Sequence, residues 1–384
     1  MLTATAAALT ATFLLYGAAA PPPVREQQEW VLDTLNLERA WTITKGRGVT
    51  VAVIDSGVDP ALKELRGRVE LAGDMTTADA VPGEPGQHGT AMAALIAGSG
   101  EGKGMIGAAP ESRILSLPIA LEEEAGGGLI APDADQLTSR MSPVARAIRY
   151  AADHGAKVVS MSIGTYGTDR SEREAVSYAL RRGVVLVAAV GNDGTSAYAK
   201  QNRTSYWTFP AGYSGVIGVS AVDRMGRGAP FSSDNLSVTV AAPGMGVPVA
   251  KRSGGYTTAD GTSPSAALVA GVAALIKSRH PEMRPEIVAQ ALVASTKGRP
   301  LTGYDDKIGF GVVDAAAALA AADRLAGQQR SATVPAGAHF GEGENSPAPS
   351  RPGPDPLRMW IFGLGAVLGL AAFGWAVATL SQRR

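Results

Sequence analysis

The sequence predicts an α/β protein: a mostly parallel central sheet with helices on both faces, followed by one C-terminal transmembrane helix. Three observations predict it. Short β-branched runs alternate with longer helical patterns along the body of the chain. Those runs are apolar almost throughout, as strands buried on both faces are. Near the C-terminus, Trp360 to Leu380 is an uncharged run long enough to cross about 30 Å of hydrocarbon at about 1.5 Å per residue.

Taken in order, the elements are as follows. Within residues 1–20, the run ATAAALTATFLLYGAAA is apolar and ends in small residues, the form of a secretory signal peptide. Residues 21–48 make a short N-terminal arm. Strands are expected at 49–54 (VTVAVI), 114–119 (ILSLPI), 157–162 (KVVSMS), 184–190 (VVLVAAV) and 216–222 (VIGVSAV). Helices are expected at 89–98, 142–154, 171–182, 264–279 and 284–295. Ser142–Pro143 reads as an N-cap with proline at the first helical position, and Gly155 and Gly183 stand where C-terminal caps belong. The domain so outlined covers 49–322. From 323 to 357 the composition turns to Gly, Pro, Ser and Ala, including NSPAPSRPGPDP, a linker unable to bury a core. The span is placed at 358–380, with Trp360 and Trp375 as interfacial anchors. Arg383 and Arg384 favour a cytoplasmic tip (381–384) and an extracytoplasmic body.

Composition removes several function classes. The 384 residues carry 35 basic and 35 acidic side chains, so there is no electrostatic footprint for nucleic acid. The absence of Cys excludes disulfides, thiol nucleophiles and Cys-ligated metals, and leaves an exported fold to be stabilised without cross-links. No EF-hand-like spacing occurs, and no metal or cofactor is expected.

The candidate site follows from where the strands end. Three of them run out into a polar residue beside glycine: Asp55 before Ser56–Gly57, Ser162 before Ile163–Gly164, and Asn192 after Gly191. Ligands of α/β sheets bind beyond the carboxyl ends of strands, so these ends are expected to converge on one crevice. A base working near neutral pH points to His, and only four are present. His154 closes a helix beside Gly155, His280 precedes Pro281 past another helix, and His339 lies in the linker. His88 is framed by Gly86 and Gly89, which permit close backbone approach. Asp55 is suited to orient its imidazole, although Asp before Gly is also a common turn residue. Ser263 opens a helix whose residues 264–276 are small or apolar on nearly every face, the mark of a central buried helix. A Ser there is either an N-cap or a nucleophile backed by the helix dipole. Asn192 offers a side-chain amide which, with the backbone N–H of Ser263, would suit a developing oxyanion; its alternative is a turn Asn.

Together these stretches carry a family resemblance. VAVIDSGVD with Asp55, GQHGTAMAALIAG with His88 and DGTSPSAALVAG with Ser263 stand in the order Asp, His, Ser, and the chain resembles the subtilisin-like serine proteases, the subtilases. Residues 49–59, 86–98, 158–164, 184–194, 238–244 and 260–276 resemble subtilase motifs in the subtilase order. The resemblance implies a subtilisin-like three-layer fold, catalytic Asp55, His88 and Ser263, and oxyanion donation by Asn192. It further implies that Ser162, Ile163 and Gly164 line the main substrate pocket and pair with the peptide by strand addition, and that Pro210 is cis. After GTS the chain departs from the usual family pattern, continuing Pro264, Ser265, Ala266, Ala267, Leu268. No segment of prodomain size lies between the leader and Val49, so a folding-assistant propeptide is not expected.

The layout of leader, arm, catalytic domain, Pro-rich linker, span and basic tip resembles the mycosins, membrane-anchored subtilases associated with type VII secretion in actinobacteria. That implies a single-pass extracytoplasmic serine endopeptidase acting on peptide or protein substrates, held in membrane lipid by its span, with a type VII secretion complex as partner. Two other readings stand beside it: a general envelope housekeeping subtilase, and a scaffold of a secretion complex that retains the triad. An α/β-hydrolase fits poorly, because Ser263 follows Thr262 rather than standing in a G-x-S-x-G elbow. Specificity depends on loops that include the stretch EEEAGGGLIAPDAD at 122–135.

Overall fold

Side chains of the first strand point alternately into two separate cores, and that alternation explains the layering. The computed structural model describes residues 22–76, 85–119, 141–327 and 356–382. In chain order the body has α1 (Val24–Thr34), α2 (Leu37–Trp41), β1 (Thr50–Asp55), β2 (Val69–Leu71), α3 (Gln87–Ala97) and β3 (Arg113–Pro118). Then come α4 (Pro143–Asp153), β4 (Val158–Met161), β5 (Thr165–Tyr166), α5 (Arg170–Arg181), β6 (Val185–Ala189), α6 (Ala197–Asn202), β7 (Thr208–Phe209) and β8 (Val216–Val222). The rest is β9 (Val238–Pro243), β10 (Val247–Ala250), β11 (Tyr256–Ala259), α7 (Thr262–Arg279), α8 (Pro285–Ala294) and α9 (Ala315–Ala326).

Seven strands form one sheet in the order β2-β3-β1-β4-β6-β8-β9, every pair parallel. In β1, Val51 and Val53 join the core built from α1, α2, α3, α7, α8 and α9, whereas Ala52 and Ile54 join the core covered by α4 and α5. Strand β6 repeats this with Val185, Val187 and Ala189 on one face and Leu186 and Ala188 on the other. A period of two with both phases apolar is what a sheet sandwiched by helices requires. All five expected strands are present, and the expected helices appear as α3, α4, α5, α7 and α8 within a residue or two. Ser142 caps α4 by accepting the Ala145 N–H at 3.1 Å, and Gly155 and Gly183 adopt positive φ beyond α4 and α5. The Phe209–Pro210 bond is cis, as expected.

The central helix α7 is buried from Thr262 through Lys277 except at Ser263. Its close seating depends on Gly271, where a Cβ would come within 2.6 Å of the Ala108 side chain. At its far end Lys277 is buried and donates to the Met283 carbonyl at 2.8 Å.

Two of the expected boundaries move. The arm assigned to 21–48 carries α1 and α2, and its Val31, Leu32, Leu35, Leu37 and Ala40 are buried in the same core as α7 and α9, so in packing it is part of the body. The limit drawn at 322 cuts α9, which continues to Ala326 because its Ala-rich turns pack on α8 and α7 rather than behaving as linker. Residues 328–355, the leader and the 122–135 stretch lie outside the described residues.

The chain divides into two compact units near residue 330. The second contains α10 (Pro356–Ser381), of which Met359–Ser381 is long and apolar enough to cross a membrane. Its large apolar side chains, including Trp360, Phe362 and Trp375, are all exposed. A helix exposing such residues on every side suits a lipid environment.

Candidate active site

The strand order sets the site before any side chain is considered. After β1 the chain builds β2 and β3 on one side and then crosses to β4 on the other, leaving a switch point at the carboxyl end of β1. Asp55 is the last residue of β1, and register pairs Ile54 with Met161, which places Ser162 level with Asp55 on the neighbouring strand. Beyond β6, Asn192 follows in the same row.

Asp55 is 3% exposed, and its Oδ1 accepts the Ser56 N–H at 2.7 Å. His88 lies in the first turn of α3, with Nδ1 2.8 and 3.0 Å from the two carboxylate oxygens. A carboxylate only accepts, so Nδ1 carries the proton and the lone pair of the neutral ring sits on Nε2. Glycine allows this approach: a Cβ on Gly89 would lie 2.4 Å from the Gly57 carbonyl, and one on Gly86 would lie 2.1 Å from Ser56 Oγ. Ser56 Oγ in turn accepts the Gly89 N–H at 3.1 Å, tying the turn after β1 to the start of α3.

Ser263 is held from the β4 side. Its Oγ lies 3.5 Å from the Ser162 carbonyl, and Ser162 Oγ donates to the Ser263 carbonyl at 3.2 Å. Its own N–H is among the first of α7, the group left without an intrahelical acceptor. Asn192 is locked by Thr262, whose backbone N–H donates to Asn192 Oδ1 at 3.0 Å and whose hydroxyl donates to it at 3.2 Å. Because an N–H needs an acceptor opposite it, the oxygen of Asn192 faces Thr262, and Nδ2 is turned away as a donor. Thr262 Oγ1 also accepts from Gly191 N–H at 3.3 Å.

Ser162, Ile163 and Gly164 follow β4 as a partly exposed segment. Thr208 backs it: a Cβ on Gly164 would touch Thr208 at 3.3 Å, and the Thr208 hydroxyl donates to the Val190 carbonyl at 2.9 Å. Tyr166 stands further along, its phenol pushed up to about 12 by partial burial and by its hydrogen bond to the Asp193 carboxylate.

The structure thus brings Asp55, Ser162, Ile163, Gly164 and Asn192 to the carboxyl end of the sheet, with His88 held on Asp55 and Ser263 on Ser162. It places the other histidines elsewhere. His154 stacks on Tyr150 at the end of α4, and His280 pairs with Asp323; His339 lies outside the described residues. Asp59 is a turn residue, its carboxylate accepting from the Ala61 N–H. Thr262, Ser56 and Thr208 were not read from the sequence; only the position of Thr262 beside Ser263 hinted at it. Among the described residues, no group of three or more His, Cys, Asp or Glu side chains is placed to hold a metal. The arrangement can activate a hydroxyl through an oriented imidazole and offer N–H donors to an oxyanion.

Mycosin-1 of Mycobacterium tuberculosis is 32% identical over 92% of this chain and 86% of its own length. Fervidolysin of Fervidobacterium pennivorans is 32% identical over 76% of this chain. The chain spans only 43% of fervidolysin and 55% of the thermophilic serine proteinase of Bacillus sp. (strain AK1). Among solved structures, MycP1 with its N-terminal propeptide removed superposes with a TM-score of 0.62 at 30% identity, over 76% of this chain and 96% of that one. MycP3 protease from the type VII (ESX-3) secretion system gives 0.62 at 30% identity, over 76% and 88% of the two chains. The sequence profile of the Subtilase family matches residues 46–311. With that match spanning the sheet and every candidate site residue, the chain belongs to the subtilase family.

Proposed function

We propose that this protein is a serine endopeptidase that cleaves peptide bonds through Asp55, His88 and Ser263. One observation carries the reading: a buried carboxylate at a strand end grips His88 Nδ1 with both oxygens, at the carboxyl end of the sheet where the central helix begins with Ser263 partly exposed. Ser263 Oγ attacks the scissile carbonyl carbon, and its proton passes to His88 Nε2. Asn192 Nδ2–H and Ser263 N–H donate to the oxyanion as charge develops. When the tetrahedral intermediate collapses, the C–N bond breaks and the leaving amine takes the proton from His88. Water then attacks the acyl-enzyme, giving its proton to His88, and the ester breaks to release the acid and restore Ser263. Asp55 keeps the ring in the required tautomer throughout. Ser162–Gly164 would receive the substrate as an added strand.

On this reading α10 anchors the chain in the membrane with the body outside the cytoplasm, the two joined by the Pro-rich sequence of residues 328–355. Similarity to mycosins, among them the MycP3 protease of a type VII (ESX-3) secretion system, supports a role on proteins handled by such a system. A fluorophosphonate probe should label the wild-type protein and not Ser263→Ala. An unlabelled wild type that still co-purifies with a secretion complex would favour the scaffold. Cutting the chain near Arg330 should release an active soluble body, while the full-length protein should stay with membranes after a high-salt wash. A body that is inactive once released would break the assignment of the linker.

A further inference from the structure

Away from the candidate active site, α4 and α5 form the outer layer over one face of the sheet, and the surface between them is built from arginine. A groove of about 750 Å³ there is lined by Arg149, Arg170, Arg173, Glu174, Ser177 and Arg181. The α5 members recur at three- and four-residue spacing, so they form one stripe about 16 Å long at about 1.5 Å per residue. The opposite face of α5, with Ala175, Val176 and Ala179, is buried in the core.

Charge in the groove is only partly committed. Arg170 pairs with Glu174 at 2.9 Å, which neutralises the one carboxylate on the lining. Arg173 and Arg181 make no side-chain hydrogen bond or ion pair with any described residue, although the chain as a whole has formal charge +0. Arg149 is oriented from below: its guanidinium lies 4.9 Å from the Tyr178 ring centroid, and its Nε is buried without a partner. Tyr178 is itself fixed, its hydroxyl donating to Asp153 and its ring also carrying Arg182 at 5.2 Å. Three guanidinium groups therefore surround a concavity with their donors unspent.

We propose that this groove binds a phosphate-bearing anion. Planar guanidinium forks match phosphate oxygens in pairs, and a phosphate with its several acceptor oxygens can engage more than one fork at once. An acidic protein segment is less well served, because the lining offers none of the aromatic or aliphatic anchors on which protein interfaces depend. The phosphate could belong to a soluble polyphosphate or to a lipid headgroup. The site shares no residue with the peptidase machinery and stands independently of it.

The test uses the full-length protein in neutral detergent and titration calorimetry with inorganic tripolyphosphate, soluble dihexanoylphosphatidylglycerol, dihexanoylphosphatidylcholine and a hexaglutamate peptide. Binding of tripolyphosphate or of the glycerol lipid, weakened by salt and reduced roughly tenfold or more in R173Q/R181Q, is expected. Peptide hydrolysis by that variant should be unchanged. Binding of tripolyphosphate alone identifies a soluble source, and binding of the glycerol lipid but not the choline lipid identifies a headgroup. Hexaglutamate binding as tightly as either phosphate probe would overturn the proposal. So would phosphate binding that R173Q/R181Q leaves intact, or no phosphate binding at all.

Discussion

Two histidine–carboxylate pairs among the described residues have nearly equal length, and on the proposed reading only one of them takes part in the reaction. His88 meets Asp55 at 2.8 Å, and His280 meets Asp323 at 2.7 Å. Both sit near an end of a helix, but their surroundings are inverted. In the first pair the carboxylate is 3% exposed and the imidazole 40%; in the second the carboxylate is 42% exposed and the imidazole 19%. A buried carboxylate at a strand end fixes a ring whose other edge faces a crevice. An exposed one shared with Arg279 merely ties the end of α7 to α9. On the proposed reading His88 serves as the base because its ring is held from the buried side, not because its pair is closer.

His88→Ala or Ser263→Ala should lower kcat about a million-fold without unfolding the protein, the size of effect these groups have in a subtilisin. His280→Ala should leave kcat within a factor of a few, as checked by peptide hydrolysis. Comparable losses from both histidines would erase the distinction. Asp55→Asn, which keeps the shape but changes the tautomer preference, should cost about 10⁴ in kcat, whereas Asp323→Asn should cost nothing measurable in rate. Asn192→Ala should cut kcat by roughly 10²–10³ while fluorophosphonate labelling of Ser263 persists, the cost of one oxyanion donor; an unchanged kcat would make Asn192 a turn residue.

The smallest effect is on stability. Partial burial raises the Asp323 carboxyl, but hydrogen bonds from His280 and Arg279 outweigh it and hold the group below the usual carboxylate range. A depressed folded-state value means its contribution is present above the unfolded carboxylate range and is lost as pH falls through the folded value. Asp323→Asn should therefore lower stability at neutral pH by at most about 1 kcal/mol, since the pair is exposed. The difference from wild type should vanish in acid, as denaturant titrations at several pH values would show.

What the sequence revealed of this contrast depended on local signals. The apolar run 49–54 and the featureless apolar face of α7 announced the buried sheet and central helix, because burial on all sides leaves no polar period. Asp55 and His88 were legible through the glycines that let them approach, and Ser142–Pro143 through its cap chemistry. The clamp of Thr262 on Asn192 was not, since it joins residues 70 apart and exists only once β6 and α7 are packed. Strand β2 was missed because it is short and two of its three side chains are exposed. Helix α9 was missed in part because its Ala-rich end merges in composition with the linker beyond it.

The packing of the N-terminal arm has a consequence in time. Asn36 donates to both oxygens of Asp314 across 278 residues, and the Ala315 N–H donates to the Leu35 carbonyl at 2.8 Å, so the first and last elements of the body are clasped together. A chain emerging from its N-terminus cannot close that clasp until α9 has followed, and the loop entropy is met only then. Ser263, too, arrives long after Asp55 and His88. Synthesis order therefore acts as a clock: on the proposed mechanism a half-made chain has its base without its nucleophile, and the finished site appears only when the body is almost entire.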